Sequence, residues 1–361
     1  MTKVYCIGEG LYTPLGSTVD TVLEAVREGK SARLFDRSGY SGASFFEHIA
    51  LEASRNALKG IEITPGTGFV LSTTKGNVEH IGKEDISLAA SAARIAGALG
   101  IKTKPIVVSN ACISGIAALL QGVRMIRSGE YDKVIVTGAE VHSDFIHSGF
   151  DCLKALSPEP CRPFDKDREG LNLGEAAAAI VLSSCHSEPS SCHSEPSSCH
   201  SERSEESFEI SDGVIRNDAN HISGPSRTGE GSYKCLRYVM ENVRKEDIAF
   251  ISVHGTATPY NDEMESVALY RAGLSDVPIN ALKGNFGHTL GAAGILEAIV
   301  SMAALEKGIV LPTKGFHEMG VTYPVNVSAL ERPASGKLII KLLSGFGGVN
   351  GAMVFRKGGA Q

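Results

Sequence analysis

The sequence predicts an α/β protein in which buried strands alternate with helices in both halves of the chain. Short β-branched runs typical of buried strands occur at 105–109 (PIVVS) and 133–137 (KVIVT) in the first half and at 248–253 in the second. An alanine-rich segment at 292–306 has the length and composition of a helix. This alternation is typical of layered proteins whose sheets are covered by helices.

The first half continues with a helix that runs from the end of the strand at 105–109 to Gly129. Its apolar residues recur at helical spacing, at Ile116, Leu119, Leu120, Val123 and Ile126. The apolar run at 176–182 predicts a further strand after the one at 133–137.

The second half repeats the pattern. A short strand at 278–281 precedes a glycine-rich stretch and the helix at 292–306. Two closing strands, at 337–343 and 351–356, flank a turn at 344–350 with the sequence SGFGGVN. Strands and helices therefore occur in both halves, as two similar α/β units would require.

Composition excludes several classes of protein. The chain has 361 residues, 42% apolar and 21% charged, which is ordinary for a globular protein. Its net charge of −6 without a basic run predicts no nucleic-acid binding. No stretch of about eighteen apolar residues predicts a membrane span, and residues 1–16 lack the pattern of a signal peptide. We therefore expect a cytoplasmic protein with reduced thiols.

A seven-residue repeat interrupts the chain at 184–204, where SCHSEPS, SCHSEPS and SCHSERS follow one another. The repeat holds three of the eight cysteines and three of the eleven histidines, and both residue types bind zinc. Each Cys-His pair is adjacent, however, and the repeat has no apolar residue to bury, so we favour an inert linker over a metal site. We predict a first half at 1–182, a linker at 183–207 and a second half at 208–361.

Cys112 is the first candidate for chemistry, in the segment VVSNACISGIAAL. It lies where a strand ends and a helix begins, a turn that presents a side chain at a helix N-terminus. We expect a stabilised thiolate at this position, which is nucleophilic at neutral pH. An isolated cysteine is often a buried structural residue, and the local context alone favours neither interpretation.

Three other segments carry candidate groups. His254 follows the strand at 248–253, where sites of α/β proteins gather, although a lone histidine there is more often structural. Lys283 and His288 lie within a glycine-rich stretch, and their spacing alone assigns no role to either. The turn at 344–350 offers backbone N–H groups suited to an oxyanion, but it is equally an ordinary connection.

In this order the motifs resemble the β-ketoacyl-acyl-carrier-protein synthases of the two-histidine type, which have the thiolase fold. The resemblance covers nearly the whole chain apart from the repeat and part of the first half. It rests on NAC around Cys112, ALSPEPCRPFDKDREG (155–170), GEAAAAIVL (174–182), HGTATPYND (254–262), KGNFGHTLGAAGILE (283–297) and GFGGVNG (345–351). It implies two similar halves in five αβαβα layers with two central sheets, and an active site between the halves.

The chemistry implied by the resemblance is a decarboxylative Claisen condensation by a ping-pong route. Cys112 would accept an acyl chain, and His254 and His288 would hold the malonyl thioester and stabilise its enolate. The backbone N–H groups of Cys112 and Phe346 would bind an oxyanion, and Phe346 would also gate the acyl pocket. No metal or external cofactor is implied, because 4′-phosphopantetheine arrives on the carrier protein.

Supporting roles follow from the same resemblance. Lys283, paired with Glu297, would order the histidine loop, and Asp262 would support this network. Thr256 and Thr258 match positions that contact the pantetheine arm.

The implied partners are an acidic acyl carrier protein and its acyl and malonyl thioesters. Lys154 matches a basic residue that meets the carrier, while Arg124 and Arg127 are weaker candidates. Relatives are usually homodimers, and a heterodimer stays open.

The chain departs from the family by being shorter, at 36–64 and again at 157–162, so its preferred chain length does not carry over. The pathway, whether fatty acid or a specialised polyene or polyketide product, stays open as well.

One alternative is a partner subunit that sets chain length, although such subunits usually lack the reactive cysteine. A metal-binding protein built on the repeat is a further alternative, and it leaves the ordered motifs unexplained. A thiolase would need a second cysteine at Gly348-Val349-Asn350, and synthases of the Cys-His-Asn type would carry Asn at His288.

Overall fold

A computed structural model describes residues 2–82, 86–184 and 207–358 of the chain. The Cys-His pairs of the repeat, and with them the choice between linker and metal site, lie outside the described residues. The strands on either side are β5 and β6, which end at Ser183 and begin at Phe208. The division into two halves with a linker at 183–207 stays a prediction that fits these bounds.

Within the described residues the chain forms twelve strands and nine helices. The strands are β1 Tyr5–Tyr12, β2 Thr67–Ser72, β3 Ile106–Val108, β4 Lys133–Glu140, β5 Ala176–Ser183, β6 Phe208–Asn217, β7 Ile248–Ser252, β8 Ile279–Asn280, β9 Ile309–Val310, β10 Arg332–Pro333, β11 Leu338–Gly345 and β12 Val349–Lys357. The helices are α1 Val19–Arg27, α2 Phe45–Ala57, α3 Leu88–Ala98, α4 Ser114–Arg127, α5 Asp144–Cys152, α6 Glu230–Met240, α7 Pro259–Arg271, α8 Lys283–Phe286 and α9 Ala293–Glu306.

The strands of the two halves follow the same plan. The order is β3-β2-β4-β5-β1 in the first half and β8-β7-β11-β12-β6 in the second. In each set the first three strands are parallel, and the last two are antiparallel to their neighbours. The predicted two sheets are joined, because Tyr5 of β1 pairs with Glu209 of β6 and makes one hydrogen-bonded sheet of ten strands.

Five layers result from the way the helices cover these strands. Helices α4 and α9 contact each other and strands of both halves, so they form a central layer. Helices α2 and α3 cover the first set of strands, while α6 packs on the second set and α7 packs on α6. The central position of α9 follows from its composition, because a helix that is apolar on every side is stable only when surrounded by protein. The predicted αβαβα architecture is confirmed.

The predicted elements differ from the structure mainly at their ends. The closing strands extend further than predicted, since Ser344 pairs with Asn350 and Gly345 with Val349, so the predicted seven-residue turn shrinks to residues 346–348. The glycine-rich stretch after β8 contains the one-turn helix α8. None of the helices in the described ranges has the length and apolar character needed to cross a bilayer.

The five cysteines in the described part of the chain carry no disulfide. They are Cys6, Cys112, Cys152, Cys161 and Cys235.

The two central helices meet at glycines, which sets the distance between the halves. A Cβ on Gly115 of α4 would lie 2.8 Å from the Cα of Gly294 in α9, and a Cβ on Gly294 would lie 2.8 Å from the backbone nitrogen of Ile116. Neither helix can shift without moving its strands. The contact brings the start of α4 close to the start of α9, and so Cys112 close to His288.

We expect Gly115→Ala to lower the free energy of unfolding by about 1–3 kcal/mol, because the added methyl group meets backbone atoms. Urea unfolding followed by circular dichroism measures the change. Gly97→Ala is the matched control, since Gly97 lies in α3 with nothing within 4 Å of its Cβ position. That variant should gain about 0.5–1 kcal/mol from its reduced unfolded-state entropy. Equal stability of the two variants would contradict a tight crossing.

Candidate active site

Cys112 lies in a tight turn between β3 and α4, as predicted. Ala111 before it has a φ of 47°, a left-handed conformation that costs an alanine about 1 kcal/mol. The Ser114 hydroxyl holds the turn, because it accepts from the Asn110 N–H at 2.7 Å and donates to the Ala111 carbonyl at 2.6 Å. The strained turn is therefore locked by its own residues, which directs Cys112 into the interior.

His254 follows β7 on a segment whose backbone is held by two buried carboxylates. Glu265 accepts from the N–H groups of His254 at 2.7 Å and Gly255 at 2.8 Å. Asp262 accepts from the N–H of Thr256 at 3.1 Å, so it holds this segment, and its support of the Lys283 network stays a prediction. Glu265 was not predicted. The available signal was a second acid one helical turn after Asp262.

The Glu265 carboxyl is fully buried beside Asp262. Burial and then the charge of Asp262 raise the pKa of Glu265 to about 7. The segment 254–256 is thus held by hydrogen bonds to two buried carboxyl groups and not by packing alone.

Lys283 links this segment to α9. Its ammonium donates to the His254 carbonyl at 2.7 Å and to Oε1 of Glu297 at 2.7 Å. The predicted Lys283–Glu297 pair is therefore present. A third member, Lys341 of β11, lies 2.6 Å from Oε2 of Glu297 and was not predicted. Burial raises the pKa of Glu297, but the two lysines outweigh burial and hold it below the ordinary value, so the carboxylate is charged.

His288 lies between α8 and α9, and a backbone hydrogen bond determines which nitrogen of its neutral ring carries the proton. Its Nδ1 accepts from the Leu290 N–H at 3.3 Å, so in the neutral ring the proton is on Nε2. That Nε2 is buried and has no hydrogen-bond partner among the described residues. The Nδ1 of His254 is likewise buried without a partner in this part of the chain.

Cys112, His254 and His288 converge, although they are far apart in the sequence. The thiol and one nitrogen of each ring lie within 4.8 Å of one another. The two rings meet edge to face, with centroids 5.1 Å apart. The pKa of each histidine lies well below its ordinary value, because of burial and then the nearby cation of Lys283. Both imidazoles are therefore neutral, and each presents one N–H donor.

The ionisation predicted for Cys112 is wrong in this resting structure. Burial raises the pKa of the thiol to about 11, although the charge of Lys283 and the backbone N–H of Phe346 oppose the rise. Burial removes the solvation that a thiolate needs, and the groups that favour the thiolate do not outweigh this loss. The thiol therefore has to lose its proton as it reacts.

The same three residue types also bind zinc, so the cluster has to be tested as a metal site. The ammonium groups of Lys283 and Lys341 are buried close to both rings and lower their pKa values. A dication would be repelled by these charges. We keep the prediction that the site works without a metal.

Two cavities meet at Cys112. The first, about 400 Å³, is lined by both histidines and by Thr256 and Thr258. The second, about 730 Å³, lies beyond the cysteine and is mostly apolar, with Ile146 and Leu290 among its walls.

Two phenylalanines border both cavities. The rings of Phe150 and Phe346 are 5.4 Å apart and inclined by 33°. Phe346 lines both cavities next to Cys112, and its role as a gate stays a prediction. Phe150 of α5 was not predicted, because its helix has no distinctive motif.

The remaining predicted residues divide into two groups. The hydroxyls of Thr256 and Thr258 are 2.9 Å apart, and Lys154 lines the same cavity. Arg124 and Arg127 lie in the last turn of α4, about 15–20 Å along the helix from the cysteine. Arg127 donates to backbone carbonyls of residues 2 and 211, which gives no support to a role at the cavity.

Comparisons with known proteins identify the family of the chain. Residues 35–187 match the family described as "Beta-ketoacyl synthase, N-terminal domain", and residues 208–317 match its C-terminal domain. The 3-oxoacyl-[acyl-carrier-protein] synthase 2 of Vibrio cholerae is 27% identical over 98% of this chain and 99% of that protein. The tetracenomycin ketoacyl synthase alpha subunit of Streptomyces glaucescens is 31% identical over 73% of this chain and 61% of its own length.

Solved structures show the same fold over the whole chain. The ishigamide ketosynthase/chain length factor is 25% identical with a TM-score of 0.85, and 99% of each chain is covered. A β-ketoacyl synthase from Burkholderia phymatum is 24% identical with a TM-score of 0.83, covering 99% of this chain and 100% of that one.

The layered halves with a buried cysteine and two neutral histidines define the thiolase-like condensing enzymes, which are acyltransferases. Within that class, the chain belongs to the β-ketoacyl synthase family, and the resemblance seen in its motifs is confirmed.

Proposed function

We propose that the protein joins an acyl group to a malonyl-derived two-carbon unit on an acyl carrier protein, with Cys112, His254 and His288 as its catalytic residues. The observation that carries the proposal is the meeting of two unlike cavities at one thiol. The cavity with two N–H donors suits a malonyl thioester, and the apolar cavity suits an acyl chain.

Acyl transfer is the first step. The sulfur of Cys112 bonds to the acyl carbon, the bond to the pantetheine sulfur breaks, and the thiol proton leaves with the departing pantetheine. The backbone N–H groups of Cys112 and Phe346 bind the oxyanion of this step. Contact of the Phe346 N–H with the Cys112 sulfur supports that assignment.

Condensation is the second step. The bond between the malonyl carboxylate and the adjacent carbon breaks, CO₂ leaves, and the electron pair moves into the thioester as an enolate. Its oxygen accepts hydrogen bonds from His254 and His288, which suit the task because neutral rings donate without carrying charge. The enolate carbon then attacks the acyl group, and Cys112 departs as a thiolate that regains a proton from solvent.

Partners and setting belong to the proposal as well. Thr256 and Thr258 line the route for a pantetheine arm, and Lys154 offers a positive charge near it to an acidic carrier. No cofactor is required beyond the carrier's 4′-phosphopantetheine. We place the protein in the cytoplasm as part of this proposal, and a homodimer or a heterodimer is compatible with relatives such as the ishigamide ketosynthase/chain length factor. The reactive cysteine favours a catalyst over a partner subunit that sets chain length.

Carrier-linked acyl thioesters of graded length and unsaturation, supplied with malonyl-carrier protein, test the function. We expect a β-ketoacyl product two carbons longer than the acyl group, with one CO₂ released for each product. Polyunsaturated preference would indicate a polyene pathway, and saturated preference a fatty acid pathway. Absence of product with every acyl thioester, in the presence of a working carrier protein, would refute the proposal.

A further inference from the structure

Lys341 is a charged residue in the middle of an apolar strand. It lies in β11, in the sequence LIIKLLSG, and is fully buried. A buried ammonium is costly unless it is paired and hydrogen-bonded. The packing of the sheet therefore does not explain why a lysine occupies this position.

Apart from its ion pair with Glu297, Lys341 is hydrogen-bonded to the segment before His254. Its ammonium donates to the carbonyls of Ser252 at 3.1 Å and Val253 at 3.0 Å. It also lies 2.6 Å from Oε2 of Glu297. Lys283 binds the other oxygen of Glu297 and the carbonyl of His254 itself. Two lysines that share one carboxylate thus hold three successive carbonyls that lead into His254.

Several charged and titratable groups surround Lys341. Glu297 faces both lysines, Glu265 lies on the other side of the His254 backbone, and both histidine rings are near. The cation of Lys341 lowers the pKa of His254 and of His288. The largest cationic influence on the thiol of Cys112 comes from Lys283. Lys341 is hydrogen-bonded to the carbonyls of Ser252 and Val253, so its influence falls first on the segment that carries His254.

We infer that Lys341 is a positioning residue for the decarboxylation step, which fixes the segment leading into His254 and adds positive charge where the enolate develops. The inference rests on the proposed function and deepens it. Lys341 touches no substrate, since it acts through the backbone of 252–254 and through its field on both rings. A charge that is already fixed in place stabilises the developing negative charge of a transition state, because the protein does not have to rearrange during the reaction.

The charge of Lys341 also has a pH signature. Burial lowers its pKa to about 8, although the charge of Glu297 opposes the shift. Lys341 is protonated below that pH and neutral above it. We expect decarboxylation by the unmodified protein to decline as the pH rises through about 8. In Lys341→Arg the decline should move to higher pH, because a guanidinium stays charged.

Three variants separate the two effects. Lys341→Met removes both donors and charge, Lys341→Gln keeps donors without charge, and Lys341→Arg keeps both. We expect Lys341→Met to slow CO₂ release from malonyl-carrier protein by about 10- to 100-fold. Acylation of Cys112 should change less than about threefold, since the hydrogen bonds of Lys341 hold residues 252 and 253 and not the turn that carries the thiol. Lys341→Gln should fall between Lys341→Met and Lys341→Arg.

Lys133→Met is the matched control for loss of a buried lysine. Lys133 is also buried in a strand, β4, and donates to the Glu62 carbonyl at 2.7 Å, at the opposite end of β4 from Glu140 and the site. It should leave the ratio of the two half-reactions unchanged. If Lys341→Met does not fold, the Gln and Arg variants carry the comparison.

Nitrogen-15 NMR of the imidazoles adds a readout that does not depend on activity. Loss of the Lys341 cation should raise the pKa of both histidines toward the ordinary value, whereas Lys133→Met should not. Unchanged histidine titration together with equal slowing of both half-reactions would overturn the inference. Failure of the unmodified protein to release CO₂ would instead count against the proposed function, and the NMR comparison would still decide the role of Lys341.

Discussion

Cys112→Ala will abolish the acyl-enzyme and reduce condensation by about 10⁴-fold or more, because the first bond to the acyl group forms at this sulfur. Loss of one sulfur atom from a buried site should cost only about 1 kcal/mol of stability, so the variant should fold. Intact-protein mass spectrometry after incubation with an acyl-carrier thioester measures the adduct, and peptide mapping locates it.

The chain supplies a matched control in Cys152. This second cysteine lines the apolar cavity from α5 and is exposed. Cys152→Ala should keep the full adduct, although Cys152 is the more accessible thiol. An adduct that persists in Cys112→Ala, or that disappears in Cys152→Ala, would contradict the mechanism.

The raised pKa of Cys112 gives the same prediction a pH dependence. With a thiol pKa of about 11, the thiolate fraction grows as the pH rises from neutral toward that value. Alkylation of Cys112 by iodoacetamide should therefore accelerate by about tenfold per pH unit between neutral pH and the pKa. Alkylation that is already maximal at neutral pH would show that the resting thiol is ionised.

His288→Ala will separate the two half-reactions. Its Nε2–H is a donor without a partner among the described residues. This is what we expect of a donor that binds the enolate oxygen of the substrate. Loss of one such donor slows a step that develops an oxyanion by about 10²- to 10³-fold. Acylation of Cys112 should survive at a reduced rate, since its oxyanion is bound by backbone N–H groups.

The measurement pairs CO₂ release from malonyl-carrier protein with the yield of acyl-enzyme in the same preparation. His288→Asn is the informative companion, because an amide retains an N–H donor and should recover part of the decarboxylation rate. Circular dichroism checks that the small cavity left by alanine does not unfold the site. Complete and equal loss of acylation and decarboxylation in His288→Ala would contradict this division of labour.

Many residues of the site could be predicted from the sequence, because they lie at recognisable positions where a strand ends, a helix begins or glycines cluster. Cys112 follows a β-branched run and precedes a helix, and His254 ends an apolar strand. The glycines around Lys283 and His288 allow backbone to approach backbone closely. These local signals, in one order along the chain, were enough to indicate the family and to select most of the candidate residues that the structure brings together.

Other features depend on groups that are distant in the chain. The sequence around Lys341 gives no reason for a charge in an apolar strand. The reason appears only when β11 pairs with β7, because the ammonium then contacts the carbonyls of Ser252 and Val253, 89 and 88 residues away, and the carboxylate of Glu297. Glu265 gains its role only when α7 folds back on the segment after β7. No local pattern records such pairings, because each partner is supplied by a different element.

The sequence by itself therefore determined the α/β class, several of the strands and helices in both halves, and, through the resemblance, the family and the candidates Cys112, His254 and His288. Only the tertiary structure decided that the thiol is protonated, the imidazoles are neutral, and two unlike cavities meet at Cys112. The physical reason is burial. The cost of a charge is the sum of lost solvation and fields from every element packed around it, and both halves supply those elements.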